Sequence, residues 1–282
     1  MSQILNGKQL AQKIKDELKI EVDKLKNEEI VPKLAVIMVG NDKSSQIYVK
    51  NKSLACQNVG IEFDEFLLDE NTTEYELLEL INKLNYDKTV NGILLQSPVP
   101  KHININKAFA LISPEKDVDG FNPINIGNFI IGEDCFIPCT PYGIMRLLKE
   151  YQISLEGKNA VIMGRSNIVG KPMIQCLLSQ NATVTVCHSK TQNITNIVKN
   201  ADIVISAIGK PNFITENMIK DGAVVIDVGI NRLQNGKIVG DVEFENVEKK
   251  ASFITPVPGG VGPMTIAMLL ENVVKATIKQ NK

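Results

Sequence analysis

Apolar positions along this chain alternate between stripes at helical spacing and short unbroken runs, and that alternation predicts helix and strand in turn. Leu10, Ile14, Leu18, Val22 and Leu25 form one stripe at i, i+4 spacing between Gly7 and Lys26, with lysines and glutamates elsewhere, which predicts a packing helix. Leu34-Ala-Val-Ile-Met-Val39 then reads as a buried strand. Ser44 to Asn58 reads as a helix ended by Gly60, Ile61 to Leu68 as a strand, Thr73 to Leu84 as a helix and Gly92-Ile-Leu-Leu-Gln96 as a third strand. This order predicts a βαβαβ layer with parallel strands. Proline cannot continue a ladder, so Ser97-Pro-Val-Pro100 ends the third strand.

Periodicity fades between Ser113 and Pro141, where Gly120, Pro123, Gly127, Gly132, Pro138 and Pro141 act as breakers, and a crossover between two domains is expected there. Asn159-Ala-Val-Ile-Met163 then runs as a strand into the turn Gly164-Arg-Ser-Asn-Ile-Val-Gly170, followed by a helix from Met173 to Leu178 and the β-branched strand Ala182 to Cys187. This is a βαβ unit of dinucleotide-binding size. A helix start behind small residues is expected to present unpaired backbone N–H groups and a positive dipole end to a phosphate. The spacing Gly164-x-Ser166-x-x-x-Gly170 departs from the plain G-x-G-x-x-G fingerprint, so the turn alone is a weak signal. The second strand ends in Cys187-His188-Ser189-Lys190-Thr191, with no carboxylate to repel a 2′-phosphate. Arg165, Ser189 and Thr191 supply groups able to bind one, which favours NADP over NAD. His188 is assigned no chemistry. Two further buried strands, Ala201 to Ala207 and Gly222 to Gly229, end in glycine-containing loops at the sheet edge where ligands bind, and an apolar helix is expected from Pro263 to about Ile278.

A length of 282 residues suits about two domains. The 31 lysines and arginines nearly cancel the 32 aspartates and glutamates, and no basic block interleaves with aromatics, so nothing recommends nucleic acid as a partner. The N-terminus lacks the pattern of a secretory signal, no window is expected to reach the ~18 apolar residues of a membrane span, and a cytoplasmic location with no membrane partner is expected. Five scattered cysteines argue for reduced thiols, and only two histidines, His102 and His188, leave no ligand set for a metal and no base for a serine or cysteine nucleophile.

The first half carries its own candidate chemistry. Tyr48 and Lys52 lie four apart on one helix face, and Gln96 ends the third strand, so connectivity predicts that all three meet at the carboxyl edge of the sheet. Taken singly, a helical lysine is usually solvated, a tyrosine usually half-buried packing and a strand-end glutamine a backbone partner. The Tyr-x-x-x-Lys spacing is shared with short-chain dehydrogenases, but there the pair follows the glycine turn, whereas Tyr48 precedes Gly164 by a whole domain. In Glu115-Lys-Asp-Val-Asp-Gly-Phe121, alternation places Asp117 and Asp119 on opposite sides of an extended segment, and sequence does not choose between them.

Six segments in order, Ser45-Gln-Ile-Tyr48-Val-Lys-Asn-Lys52, Gln96-Ser-Pro-Val-Pro100, Lys116-Asp-Val-Asp-Gly-Phe121, Pro138-Cys-Thr-Pro-Tyr-Gly143, Gly164 to Gly170 and Pro256-Val-Pro-Gly-Gly-Val-Gly-Pro-Met-Thr265, resemble the bifunctional methylenetetrahydrofolate dehydrogenase/cyclohydrolase family over essentially the whole chain. The resemblance implies two three-layer α/β domains with a cleft between them. A folate-binding catalytic domain is implied over 1–140, completed by the C-terminal helix 263–282, and a Rossmann-like NADP-binding domain over 141–262. It implies oxidation of 5,10-methylenetetrahydrofolate with NADP, hydrolysis of the methenyl product to 10-formyltetrahydrofolate, and a homodimer. By motif position it implies Lys52 as the proton-transfer residue, Gln96 as its orienter, Tyr48 as the ring stacked on folate and Asp119 as the carboxylate on the pterin, with Asp117 structural. Val99, Pro100, Pro258, Gly259 and Gly260 would line the folate site, and Gly164, Arg165, Ser166, Ser189 and Ile230 would contact NADP. Ser97 departs from the leucine usual after the motif glutamine. Hydrolysis requires an amine able to take a proton beside a cation, so Lys52 is expected to be at least partly neutral there. The competing readings are a monofunctional NAD(P) dehydrogenase on another small substrate, separated by oxidation without hydrolysis, and a non-catalytic NADP-binding sensor, separated by indifference to folate.

Overall fold

The computed structural model describes residues 2–282. Its elements in chain order are β1 (Gln3–Ile4), α1 (Gly7–Asn27), β2 (Lys33–Val39), α2 (Lys43–Val59), β3 (Glu62–Leu68), α3 (Glu74–Tyr86), β4 (Gly92–Leu95), α4 (Ile105–Leu111), α5 (Pro123–Ile131) and α6 (Cys139–Glu150). Then follow β5 (Asn159–Met163), α7 (Gly170–Leu178), β6 (Thr183–Cys187), α8 (Ile194–Val198), β7 (Ile203–Ser206), β8 (Val224–Asp227), β9 (Asn231–Arg232), β10 (Ile238–Val239), α9 (Phe244–Val247), β11 (Phe253–Ile254) and α10 (Val261–Gln280).

Local chemistry sets the helix ends. The Asp42 carboxylate accepts from Ser45 N at 2.7 Å to start α2, and Gly60, at φ +92°, ends it in the left-handed conformation that favours glycine. Thr73 and Glu76 form a reciprocal capping box on α3. The stretch expected to be an irregular crossover contains α5 and the start of α6 instead. Its breakers punctuate helices: Asn122 accepts from Ile124 N at 2.7 Å, Pro123 occupies the first turn of α5, and Gly132 closes it at φ +85°.

Two compact units result, Met1–Gln12 with Cys139–Thr265, and Lys13–Pro138 with Ile266–Lys282. These limits differ from those expected in sequence, because Gln3–Ile4 pairs in parallel with Phe253–Ile254 and so takes the first residues into the nucleotide unit. The other unit holds the parallel sheet β3–β2–β4, with Leu34 between Phe63 and Gly92. Beneath it Ile37, Val39, Leu77, Ile81, Ile93 and Leu95 form a core against α3 and α4. The nucleotide unit holds the six-stranded parallel sheet β1–β11–β8–β7–β5–β6. In each sheet the chain leaves one strand to one side and returns on the other, at β2 and at β5, which makes their carboxyl ends topological switch points.

Helix α10 is long and apolar enough to cross a membrane by length and composition, contrary to the expectation that no window would be. Its composition follows from burial within the protein, where Met264, Met268, Leu269, Leu270, Val273 and Val274 are inaccessible to water.

The segment after α4 is tied to the sheet edge. Ile93 N donates to Lys116 O at 2.8 Å, and the buried Lys116 ammonium donates to the carbonyls of Leu84 and Asp87 at 3.0 and 2.6 Å. The carboxylate of Asp117, only 2% exposed, accepts from Gly120 N, Phe121 N, Asn122 N and Asn125 Nδ2 at 3.1, 3.1, 2.7 and 2.9 Å. Asn272 Nδ2 donates to Val118 O at 2.9 Å. Burial outweighs the hydrogen bonds and, with the charge of Asp119, pushes the Asp117 carboxyl up to about 7.

The native state therefore binds this proton more tightly than the unfolded chain, and the contribution of Asp117 to stability falls as pH rises through 7. Asp117→Asn removes that titration while forfeiting acceptor capacity at one oxygen. We expect a lower urea midpoint than the parent at every pH, with a gap narrower at pH 8 than at pH 5. On the same unit, Thr73→Ala is expected to lower stability by about 1 kcal/mol in urea titrations through loss of the α3 cap.

Candidate active site

The first group assembles around α2. Ser45, Val49, Cys56 and Val59 are its buried residues with Ala55, and the spacing 45, 49, 56, 59 leaves position 52 on the same stripe. Lys52 therefore belongs to the face that packs inward rather than to the solvated face. Its Nζ donates to Gln96 Oε1 at 2.8 Å, just past the end of β4. Gln96 Nε2 donates in turn to Ser97 O at 2.7 Å, which leaves the amide oxygen toward the amine, the only arrangement that suits a lysine donor. Ser45 Oγ donates to the same Ser97 carbonyl at 3.3 Å. The departure at Ser97 is thus used through its backbone, and its peptide bond to Pro98 is cis.

Tyr48, one turn before Lys52, is 37% exposed, and burial of the rest of its ring raises the phenol above its usual range, so it remains protonated at neutral pH. Cys56, one turn after Lys52, is pushed up to about 12 by burial despite the lysine charge, and stays a thiol. Neither neighbour competes with Lys52 for a proton. Asp119 is half-buried at the exit of the segment held by Asp117, which the Ile93–Asp117 bridge aligns beside β4. Asp117 has its oxygens committed to donors of residues 120–125. Val99 is partly buried against the core of this unit, and Pro100 is half-buried beside it.

The second group lies in the nucleotide unit, at the carboxyl end of β5. Gly164 has φ +121°, and a Cβ there would stand 2.4 Å from Ala207 O; a Cβ on Gly170 would stand 2.5 Å from Gly164 O. Both positions admit only glycine, so backbone meets backbone across the turn. The expectation of unpaired N–H groups at the start of α7 needs correction. Ser166 Oγ accepts from Val169 N and Gly170 N at 3.2 and 3.3 Å, and Lys171 N donates to Ser166 O at 3.0 Å, so the first turn is already capped. What the turn presents outward is the exposed Arg165 guanidinium and the hydroxyl hydrogen of Ser166, with the exposed Ser189 after β6. Thr191 is engaged within its own loop instead. Its Oγ1 accepts from His188 N at 2.9 Å, while His188 Nδ1 accepts from Lys190 N at 3.2 Å, so both side chains shape the segment after β6.

Ile230, 51% exposed, follows β8, and Pro258, Gly259 and Gly260 precede α10 in the same unit. Lys8 N donates to Gly259 O at 2.9 Å, and a Cβ on Gly7 would stand 1.9 Å from Gly260 O, so the start of α1 rests on this loop. The structure thus brings Lys52 and Gln96 into direct contact, with Tyr48 one turn away on the same helix. The substrate-side residues Pro258 to Gly260 belong to the unit that carries the cofactor candidates. Gly170 as an obligatory glycine was recognisable in the turn spacing, whereas the capping role of Ser166 was not.

Comparison with known proteins bears on both groups. Residues 5–119 match the model of the tetrahydrofolate dehydrogenase/cyclohydrolase catalytic domain, and residues 138–281 match its NAD(P)-binding domain. The bifunctional protein FolD of Acetivibrio thermocellus is 60% identical over 281 residues, covering 100% of this chain and 99% of that relative. The crystal structure of the bifunctional methylenetetrahydrofolate dehydrogenase/cyclohydrolase FolD from Campylobacter jejuni superposes with a TM-score of 0.98 at 54% identity, over 99% of each chain. The Trypanosoma brucei enzyme of the same name, complexed with NADP cofactor and inhibitor, superposes with a TM-score of 0.96 at 37% identity, over 100% of this chain and 99% of that one. The chain belongs to the tetrahydrofolate dehydrogenase/cyclohydrolase family.

Proposed function

We propose that this protein oxidises 5,10-methylenetetrahydrofolate to the 5,10-methenyl cation with NADP and hydrolyses that cation to 10-formyltetrahydrofolate, using Lys52, Gln96, Tyr48 and Asp119 on the folate side and Gly164, Arg165, Ser166, Ser189 and Ile230 on the cofactor side. Family membership supports both activities. The observation that carries the assignment of residues is the 2.8 Å bond from Lys52 Nζ to Gln96 Oε1 at the carboxyl edge of a parallel sheet.

NADP, when bound, supplies hydride acceptance. The residues of the turn fit it: Gly164 lets backbone approach closely, and Arg165 with the hydroxyls of Ser166 and Ser189 gives cationic and neutral donors for phosphate oxygens, with no carboxylate between Cys187 and Thr191. The protein's part in oxidation is positioning, with Tyr48 against the pterin ring, Asp119 accepting from its amino groups, and Val99 and Pro100 shaping the folate side.

Hydrolysis asks more of the side chains. Water adds to the methenyl carbon and loses a proton to the neutral Lys52 amine; the bond from that carbon to N5 then breaks as the formyl carbonyl forms, N5 keeps one proton and one is released to solvent. Gln96 orients the amine without adding charge. The family resemblance further supports a cytoplasmic homodimer that feeds one-carbon units to purine synthesis; sedimentation at micromolar concentration tests the dimer.

The overall test is to mix the protein with methylenetetrahydrofolate and either NADP or NAD while following reduced cofactor and methenyl absorbance together. Both signals must appear with NADP, and the methenyl signal must then decay. Lys52→Met is expected to slow that decay at least ~100-fold while the variant melts and binds NADP as the parent does; hydrolysis at the parental rate would remove Lys52 from the role. Asp119→Asn is expected to weaken folate binding at least ~10-fold by calorimetry, with NADP affinity retained.

A further inference from the structure

Helices and turns explain how the cofactor-side residues are presented, but not what fixes the loops beneath them. Asp241 lies between β10 and α9 and is fully buried. Its Oδ2 accepts from Ile208 N at 2.8 Å, Gly209 N at 3.2 Å and Ser206 Oγ at 3.2 Å, and its Oδ1 accepts from Lys210 N at 2.9 Å and Asn231 Nδ2 at 3.0 Å. Those donors come from two separate segments, the end of β7 with the loop that leaves it and the first residue of β9. Both oxygens accept; an amide would turn an NH2 group onto N–H donors whichever way it flipped.

A second carboxylate holds the first in place. Asp227, the last residue of β8, accepts from Gly229 N, Asp241 N and Val242 N, each at 2.9 Å. The side chain of Asp227 therefore grips the backbone of Asp241, and the side chain of Asp241 grips the backbone of residues 208–210. The fit leaves no room for a methyl group: a Cβ on Gly240 would stand 1.8 Å from Asp227 Oδ2, and one on Gly229 would stand 2.2 Å from Asp241 Oδ1. Burying two carboxylates side by side is unfavourable, and burial with the charge of Asp241 pushes the Asp227 carboxyl up to about 6. Without these acceptors six backbone N–H groups would be left unpaired, so the two carboxylates together fix where the loops sit.

The first of these loops meets the glycine turn. Ala207 N donates to Met163 O at 2.8 Å, and Ala207 O is the atom that limits Gly164. On the other side Asn231 adjoins the exposed Ile230. We propose that Asp241, braced by Asp227, is a positioning residue for the dehydrogenase reaction, setting the 207–210 and 229–231 loops at the distance from the Gly164 turn that seats NADP. The inference rests on the proposal that NADP binds at that turn.

The test uses full-length Asp241→Asn and Asn231→Ala, with steady-state oxidation varied separately in NADP and in methylenetetrahydrofolate, methenyl hydrolysis without cofactor, and thermal melting. The expected result is an NADP KM raised about 10-fold or more in Asp241→Asn and about 3-fold in Asn231→Ala, with folate KM and hydrolysis within twofold of the parent. An NADP KM within twofold of the parent in a folded variant overturns the proposal. So does a joint loss of NADP use, folate use and hydrolysis with a lowered melting temperature, because that marks structure alone. If Asp241→Asn does not fold, Asn231→Ala decides by the same criteria. If the unaltered protein shows no NADP-dependent oxidation, the functional reading itself fails and this inference with it.

Discussion

The bond between Lys52 and Gln96 is the constraint around which the catalytic unit is organised. It needs a lysine on the inward stripe of α2 and a glutamine at the end of β4, and it forms because β2 is the central strand of β3–β2–β4. Helix α2 begins at the carboxyl end of β2, beside the carboxyl end of β4, so the topology delivers the two side chains to one place from positions 44 residues apart. Had β4 added on the far side of β3, the same two residues would have stood two strands apart.

Both units solve the same mechanical problem by the same means. Loops at carboxyl ends of parallel strands have lost the ladder that fixes the strands, and their N–H groups need acceptors. Asp117 supplies them in one unit, while Asp227 and Asp241 supply them in the other. A carboxylate serves better than a hydroxyl or amide because it only accepts and offers two oxygens to convergent donors. Burial, together with the charge of a neighbouring aspartate, raises the Asp117 and Asp227 carboxyls. Precise loop placement is worth that burial where a reacting carbon must be aligned within fractions of an ångström.

Much of this was readable along the chain, for identifiable reasons. The inner strands of both large sheets are buried on both faces, so β2, β4, β5, β7 and β8 read as largely continuous apolar runs. Lys52, Gln96 and Tyr48 were legible because connectivity alone sends them to one edge. The stripe through Ser45, Val49, Cys56 and Val59 was a further signal that Lys52 faces inward. Helix α5 was hidden because Asn122, Pro123 and Gly132 read as breakers until their places at its two ends are known. Strand β1 was hidden because two residues carry no period, and its partner β11 lies 250 positions away. The Asp117 and Asp241 braces were hidden for a related reason: a buried carboxylate is indistinguishable from a surface one in sequence, and only the convergence of distant N–H groups marks it.

The two reactions place unequal demands on the two units, and the residues divide accordingly. Hydride transfer draws no proton from a side chain and is governed by alignment, which suits a nucleotide unit rich in glycine turns and backbone braces. Hydrolysis needs a base beside a cation. The amide of Gln96 meets the Lys52 amine through its oxygen and orients it without adding a charge of its own. The Ser97 carbonyl completes the logic, because by engaging Gln96 Nε2 it keeps the amide from turning its own donor toward the amine. At this edge the lysine thus meets a neutral partner held in one orientation.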